Sequence, residues 1–202
     1  VEADLRRDGL PADVCMHLRK LTELKLLQLN APAIPSLDGL KSHPSIERLF
    51  IGEASQIQDF SVLSTLPKLS SLSIFKGKVD DTNSSAIFSL SSLTSLDLTS
   101  NPLSSLEGIE RLTSLEHLSL WRSPITSLLP LTSLPSLRTI SLGDIFTDDL
   151  TPLLTIPNLS TLHISSKLLA NKGRFSWLTR SSTPERTVEQ LRKRGVTIVT
   201  MA

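Results

Sequence analysis

The sequence predicts an α/β solenoid, with a curved parallel sheet on the concave side and 3-10 or short-helix turns on the convex side. Three observations predict it. Leucine pairs of the form L-x-L recur at a nearly fixed period, further leucines follow each pair at three-residue spacing, and proline, serine or threonine stands five residues before each pair. Such self-similarity is the signature of stacked structural repeats.

The pairs begin at Leu27, Leu49, Leu72, Leu96, Leu118, Ile140 and Leu162, separated by 22, 23, 24, 22, 22 and 22 residues. In L-x-L both leucines of a short strand point to one face and the middle residue to the other. After Leu118 come Leu120, Ile125, Leu128, Leu131, Leu134 and Leu137; after Leu27 the same offsets hold Leu29, Ile34, Leu37, Leu40, His43 and Ile46. Leucines three apart suit a 3-10 turn on the opposite side. Pro44, Pro67, Pro135 and Pro157, with Thr22, Ser91 and Thr113, mark the turn that enters each strand, because proline fixes φ and needs no partner for an N–H. One unit alone has nothing to bury its leucines against; stacked units share one core.

The stretch from Leu93 to Leu112, "LTSLDLTSNPLSSLEGIERL", matches the pattern L-x-x-L-x-L-x-x-N-x-L almost position for position. The chain thereby resembles the leucine-rich repeat family, in the short 22-residue class of a nuclear regulator of protein phosphatase one and of bacterial internalins. The resemblance covers roughly residues 18 to 170 and implies the fold far more than a function, because the fold hosts many functions. The chain departs from the family in its asparagine ladder, present only at Asn101; Pro32, Ala54, Gly77, Ser123, Ile145 and Lys167 stand at the other positions. The third repeat is two residues longer than the 22-residue period, and "VDDTNSSAIFSLSSL" predicts a convex helix begun by Asp80 or Asp81.

The expected organisation is an N-terminal capping segment over 1–20, about seven repeats over 21–170, and a C-terminal cap over 171–202. "LPADVCMHLRKL" (Leu10 to Leu21) reads as an amphipathic capping helix. Thr183 as N-cap, Pro184 at the first helical position and Gly195 as the stop predict a helix over about 184–194. Val196 to Val199 then predicts a final strand at the sheet edge.

Composition narrows the function. Twenty-one basic residues against 20 acidic ones give a net charge of +1, which argues neither for nor against nucleic acid. The single cysteine, Cys15, cannot form an internal disulfide, which favours an intracellular, cytoplasmic home. The first residue is Val1, as expected of a fragment or a processed protein. No apolar run approaches the roughly 20 residues that span a membrane. Phosphate-loop, dinucleotide-binding, zinc-protease and paired-cysteine motifs are all missing. His117 and His163 lie two strands apart, about 10 Å by strand spacing, too far to share a metal, and His43 occupies a leucine position as a partly buried core residue. Asp80 to Ser85, "DDTNSS", lacks the glycine and terminal glutamate of a calcium loop and reads as helix capping. Asn83 and Asn158 sit in glycosylation sequons that matter only in a secreted protein. No catalytic residue, cofactor or metal site is expected.

The residues beside the leucines form the concave face, in columns. The first runs Leu26, Arg48, Ser71, Ser95, His117, Thr139, Thr161; the middle runs Gln28, Phe50, Ser73, Asp97, Ser119, Ser141, His163; the third runs Asn30, Gly52, Phe75, Thr99, Trp121, Gly143, Ser165. The next position holds Lys76 and Arg122 at the lip. Phe50, Phe75 and Trp121 are expected to point away from the core over a serine and threonine floor, with Gly143 leaving space beside Trp121. An exposed Trp next to an Arg has the composition of a binding hot spot. The expected partner-binding residues are Arg48, Phe50, Phe75, Lys76, Asp97, His117, Trp121, Arg122 and His163.

Residues 167–194 carry eight basic residues against two acidic ones, +6, and leave the remainder at −5. Lys172, Arg174, Arg180, Arg192, Lys193 and Arg194 make this a basic end, in part a complement to a helix C-terminus and in part a docking place for RNA or an acidic surface. The expected function is a non-enzymatic module holding a protein partner on its concave sheet, with no small-molecule substrate and no membrane. The alternative is a recognition or scaffold subunit of a larger complex, such as a ligase, phosphatase, immune receptor or ribonucleoprotein, docking partly through the basic end.

Overall fold

Each L-x-L pair becomes a strand whose leucines face inward, and the strands stack in sequence order. The structure, a computed structural model, describes residues 1–6, 10–30, 32–147, 149–170 and 183–201. Among the described residues, nine parallel strands form one sheet in the order β1 to β9: Glu2–Leu5, Leu26–Asn30, Arg48–Gly52, Ser71–Phe75, Ser95–Asp97, His117–Ser119, Thr139–Leu142, Thr161–Ser165 and Thr197–Met201. The register is the one the repeat requires, with Leu27, Leu49, Leu72, Leu96, Leu118, Ile140 and Leu162 paired in succession. All seven are at most 2% exposed, so one core runs through the stack.

The return path is short turns. The 3-10 turns Asp38–Leu40, Ser61–Thr65, Ile109–Arg111, Leu129–Ser133 and Thr151–Thr155 line the convex side, together with the helix α2, Ser84–Phe88, in the long third repeat. Serine and threonine close these turns by donating to the carbonyl three residues back: Thr65 to Val62 (2.7 Å), Ser89 to Ala86 (2.8 Å), Thr132 to Leu129 (2.8 Å) and Thr155 to Pro152 (2.8 Å). Where each strand begins, one carbonyl accepts two N–H groups from the next repeat: Glu47 and Arg48 donate to Lys25, and Ser70 and Ser71 to Glu47. Ser45, Ser92, Ser136 and Asn158 add side-chain bonds to the preceding repeat's loop. The hydroxyl spacers thus satisfy backbone groups that a buried loop would otherwise leave unpaired.

The single ladder asparagine works hardest. Asn101, 2% exposed, donates from Nδ2 to the carbonyls of Ile74 (2.7 Å) and Leu98 (2.9 Å) and accepts from the Val79 N–H (3.2 Å). In the following repeat Ser123 takes over part of that role, donating to the Leu98 carbonyl (3.0 Å).

Several local expectations change. Asp80 and Asp81 do not cap α2, whose N-cap is Asn83 without a side-chain cap bond. Asp80 instead accepts from Thr82, and Asp81 reaches the next repeat, accepting from the N–H groups of Ser104 and Ser105 (both 2.9 Å) and the Ser104 hydroxyl. His43 is 1% exposed rather than partly buried, and both ring nitrogens lack a partner.

The ends differ too. The N-terminal helix α1 is only Val14–Leu18, because Leu10, Val14, Cys15 and Leu18 already supply the buried face. It approaches the first repeat across Gly39, where a Cβ would stand 2.2 Å from the Cys15 carbonyl carbon. Ahead of it β1 extends the sheet, pairing Ala3 with Leu27 and Leu5 with Leu29. At the other end α3 is Ser166–Ala170 and α4 is Pro184–Lys193, with the Thr183 hydroxyl accepting from the Arg186 N–H (3.3 Å) and Gly195 at φ 85°. The last strand is Thr197–Met201, one residue later at its start and two at its end than the expected segment.

Candidate recognition surface

Strand alternation decides which side chains leave the core. In β3, β4 and the turn after β6, Phe50, Phe75 and Trp121 are half-buried on the concave side. The middle column is continuous in register, Phe50 beside Ser73, then Asp97, Ser119, Ser141 and His163.

The indole of Trp121 lies across the neighbouring repeat. A Cβ at Gly143 would stand 2.6 Å from the Cε2, Cη2 and Cζ2 atoms of the ring, so the indole occupies the place of a side chain there. The backbone locks the two together, since Arg122 donates its N–H to the Gly143 carbonyl (2.7 Å).

The lip has a backbone feature that the residue types do not announce. Glu53, Lys76, Ser100, Arg122 and Asp144 all have φ between 50° and 61°, a region that costs non-glycine residues about 1 kcal/mol each. Four of them recover a hydrogen bond to the next repeat: Glu53 to Phe75 (2.8 Å), Lys76 to Thr99 (3.1 Å), Ser100 to Trp121 (2.7 Å) and Arg122 to Gly143. Left-handed turns in consecutive repeats bring opposite charges together. Lys76 pairs with Glu53 at 3.7 Å and stands 5.3 Å from the Phe75 ring centroid; Arg122 pairs with Asp144 at 3.7 Å.

The first strand, not expected from the sequence, brings charge onto Phe50. Arg6 sits 6.0 Å from the Phe50 ring centroid and pairs with Asp4 at 2.7 Å, while Arg48 pairs with Glu2 at 3.3 Å. Hydrogen bonds from Arg6 hold the Asp4 carboxyl down at about 2. The available signal was Ala3-x-Leu5, a degenerate pair 24 residues before Leu27, the same spacing as the longest repeat.

At the centre of the sheet, Asp97 accepts from the Thr99 N–H (2.9 Å) and hydroxyl (2.5 Å) and, at 3.4 Å, from the Ser73 hydroxyl; Thr99 also meets the Ser119 hydroxyl at 3.0 Å. His117 is exposed and His163 half-buried, in different columns two strands apart. Among the described residues no group of three His, Cys, Asp or Glu side chains could hold a metal.

The described cations of the basic end are engaged within the chain. Arg192 and Lys193 pair with Glu189 at 3.8 and 4.0 Å. Arg194 donates to the carbonyls of Leu154 and Ile156, tying α4 to the last 3-10 turn. Lys172, Arg174 and Arg180 lie outside the described residues. On the convex side, adjoining shallow clefts share Ser105, Glu107 and Glu110, and one of them is walled by Leu129 and Pro130. No helix among the described residues is long and apolar enough to cross a membrane.

An open sheet of nine parallel strands, closed on its convex side by 3-10 turns at a 22-residue period, defines a leucine-rich repeat protein. Solved structures agree. The chain is similar to the internalin InlF of Listeria monocytogenes strain 4b F2365, with 28% identity and a TM-score of 0.65, over 74% of this chain and 44% of that one. Internalin C2 of the same strain is 26% identical, with a TM-score of 0.64 over 77% of this chain and 70% of that one. TLR13, in a complex with the single-stranded RNA ssRNA13, is 28% identical, with a TM-score of 0.61 over 81% of this chain and 25% of that one. The chain therefore spans less than half of InlF and a quarter of TLR13. No family model and no curated protein matches the chain.

Proposed function

We propose that this solenoid is a non-enzymatic recognition module that holds a protein partner on its concave sheet. The observation that carries the reading is the Trp121 indole, set over Gly143 on a half-buried floor of small hydroxyl residues. A large aromatic surface whose orientation is already fixed loses little entropy on binding, which is what an interface anchor needs. The repeats from about 21 to 170 form the binding body and the two ends cap it. The buried, unpaired Cys15 thiol suits a reducing, intracellular setting.

The alternative is a recognition or scaffold subunit docking RNA or an acidic surface through its basic end. It has less support, because Arg192, Lys193 and Arg194 already serve the helix and the last repeat. The test is a parallel affinity purification with three baits: the unaltered chain, Trp121→Ala, and Arg192→Glu with Lys193→Glu. A protein retained by the first and third baits and lost from the second supports concave recognition. Retention by Trp121→Ala with loss from the charge-reversed bait, together with a steep salt dependence, supports the alternative.

A further inference from the structure

Carboxylates on the strand side of this molecule are paired almost without exception. Among the described residues, seven lie on the strands or their flanking columns: Glu2, Asp4, Glu47, Glu53, Asp97, Glu116 and Asp144. Six have a cation within 4.0 Å: Glu2 has Arg48, Asp4 has Arg6, Glu47 has Lys25, Glu53 has Lys76, Glu116 has Arg138 and Asp144 has Arg122. Asp97 alone has none among the described residues. It is held only by neutral donors, Thr99 and the distant Ser73 hydroxyl.

Its position sharpens the exception. Asp97 lies in the middle column of β5, in register with Ser73 on one side and Ser119 on the other. Phe75 and Trp121 stand two residues further along those neighbouring strands. The two backbone positions are thus two strand spacings apart, about 10 Å, with Thr99 between them and Asp97 two residues before Thr99. Trp121 leans over Gly143, on the side away from Phe75. A half-buried carboxylate with an aromatic residue two positions further along on each side complements a cation by charge-assisted hydrogen bonds, and an aromatic face at the rim adds its own attraction.

We infer that the concave site takes a basic side chain of its protein partner, an arginine or lysine inserted between Phe75 and Trp121 onto Asp97. This rests on the concave reading above and names the partner's chemistry. The Asp97 Oδ2 atom, bonded only at 3.4 Å to Ser73, is the free acceptor, and the Oδ1 atom stays fixed by Thr99. Arginine is favoured over lysine because its planar group can lie along a ring while bonding a carboxylate.

The test uses a displayed library of random peptides selected on the full chain. Enriched peptides are expected to carry Arg or Lys at one fixed position. One selected peptide is then made with that Arg replaced by citrulline, its neutral isostere. This change is expected to weaken binding tenfold or more for the unaltered protein, and less than twofold for Asp97→Asn. Binding lost in Trp121→Ala but unchanged by citrulline and by Asp97→Asn overturns the cation pocket while leaving concave recognition standing. Peptides that bind Trp121→Ala as well as the unaltered chain, or no enrichment at all, overturn the concave reading together with the inference. The citrulline arm needs no protein variant, so an unstable Asp97→Asn cannot obscure the result.

Discussion

The Trp121 indole rests on Gly143 one repeat away, so closely that a Cβ at 143 would meet three of its ring atoms at 2.6 Å. The glycine thereby sets the direction of the largest side chain on the concave face. Gly143→Ala is expected to lift the indole, changing tryptophan fluorescence and near-ultraviolet circular dichroism. It should lower partner affinity nearly as much as Trp121→Ala does, while the unfolding midpoint moves little. An unchanged tryptophan signal in Gly143→Ala would sink this coupling.

Asn101 bonds three buried backbone groups: the Ile74 carbonyl in β4, the Val79 N–H in the loop after it, and the Leu98 carbonyl just past β5. Asn101→Ala strands the Ile74 carbonyl and the Val79 N–H and leaves the Leu98 carbonyl only the Ser123 hydroxyl, and an unsatisfied buried group costs about 1–3 kcal/mol. A destabilisation of about 2–4 kcal/mol in urea unfolding is expected. A value below about 0.5 kcal/mol, the range of an ordinary surface change, would mean the ladder position is dispensable.

His43 presents the opposite case. It stands at the offset that holds Leu112, Leu134 and Ile156 in later repeats, and its two buried ring nitrogens bond nothing. His43→Leu removes two unpaired polar atoms and keeps an apolar side chain in the core. Stability is expected to rise by about 1–2 kcal/mol, read as a higher denaturation midpoint; a lower midpoint would show that the imidazole has a partner in solution.

Asp81 ties the long third repeat to the next one. Burial pushes its carboxyl up, yet the hydrogen bonds from Ser104 and Ser105 outweigh it and hold the group below its ordinary value. A carboxyl lowered by folding contributes stability that is complete above the unfolded value near 4 and is lost as pH falls through the folded value. With its exposed carboxylate screened by solvent, Asp81→Ala is expected to cost about 0.5–1 kcal/mol at pH 6 and less at pH 3. Equal losses at both pH values, measured by urea unfolding, would contradict the assignment.

Burial pushes the Cys15 thiol up to about 11, and the residue is 2% exposed on the buried face of α1. Since the thiolate is the reactive form, alkylation at pH 8 should be slow in the native protein and fast in denaturant. Labelling at the rate of a free thiol would show that the N-terminal cap opens readily.

What the sequence disclosed follows from what repetition enforces. Leu118 and its equivalents were legible because each unit must bury the same positions against its neighbours, so the period fixes both register and face. Trp121 and Gly143 were legible as neighbours for the same reason. The first strand was hidden because Ala3 replaces the leucine that marks the pair elsewhere. The left-handed lip was hidden because Glu53, Lys76 and Arg122 are neither glycine nor asparagine, and their φ is imposed by hydrogen bonds to the next repeat. Asp97 was visible as a concave residue, but its lack of a cation emerges only when the ion pairs around it are known.

The central claim is that recognition takes place on the concave sheet, and one titration tests it most directly. The affinity of a purified native partner is measured for the unaltered chain, Trp121→Ala and Glu110→Lys, the last lying in the convex clefts. Trp121→Ala is expected to weaken binding by about 2 kcal/mol or more, roughly thirtyfold, as loss of a buried aromatic anchor does. Glu110→Lys is expected to leave the affinity within twofold. A silent Trp121→Ala beside a damaging Glu110→Lys would contradict concave recognition and move the partner to the convex side.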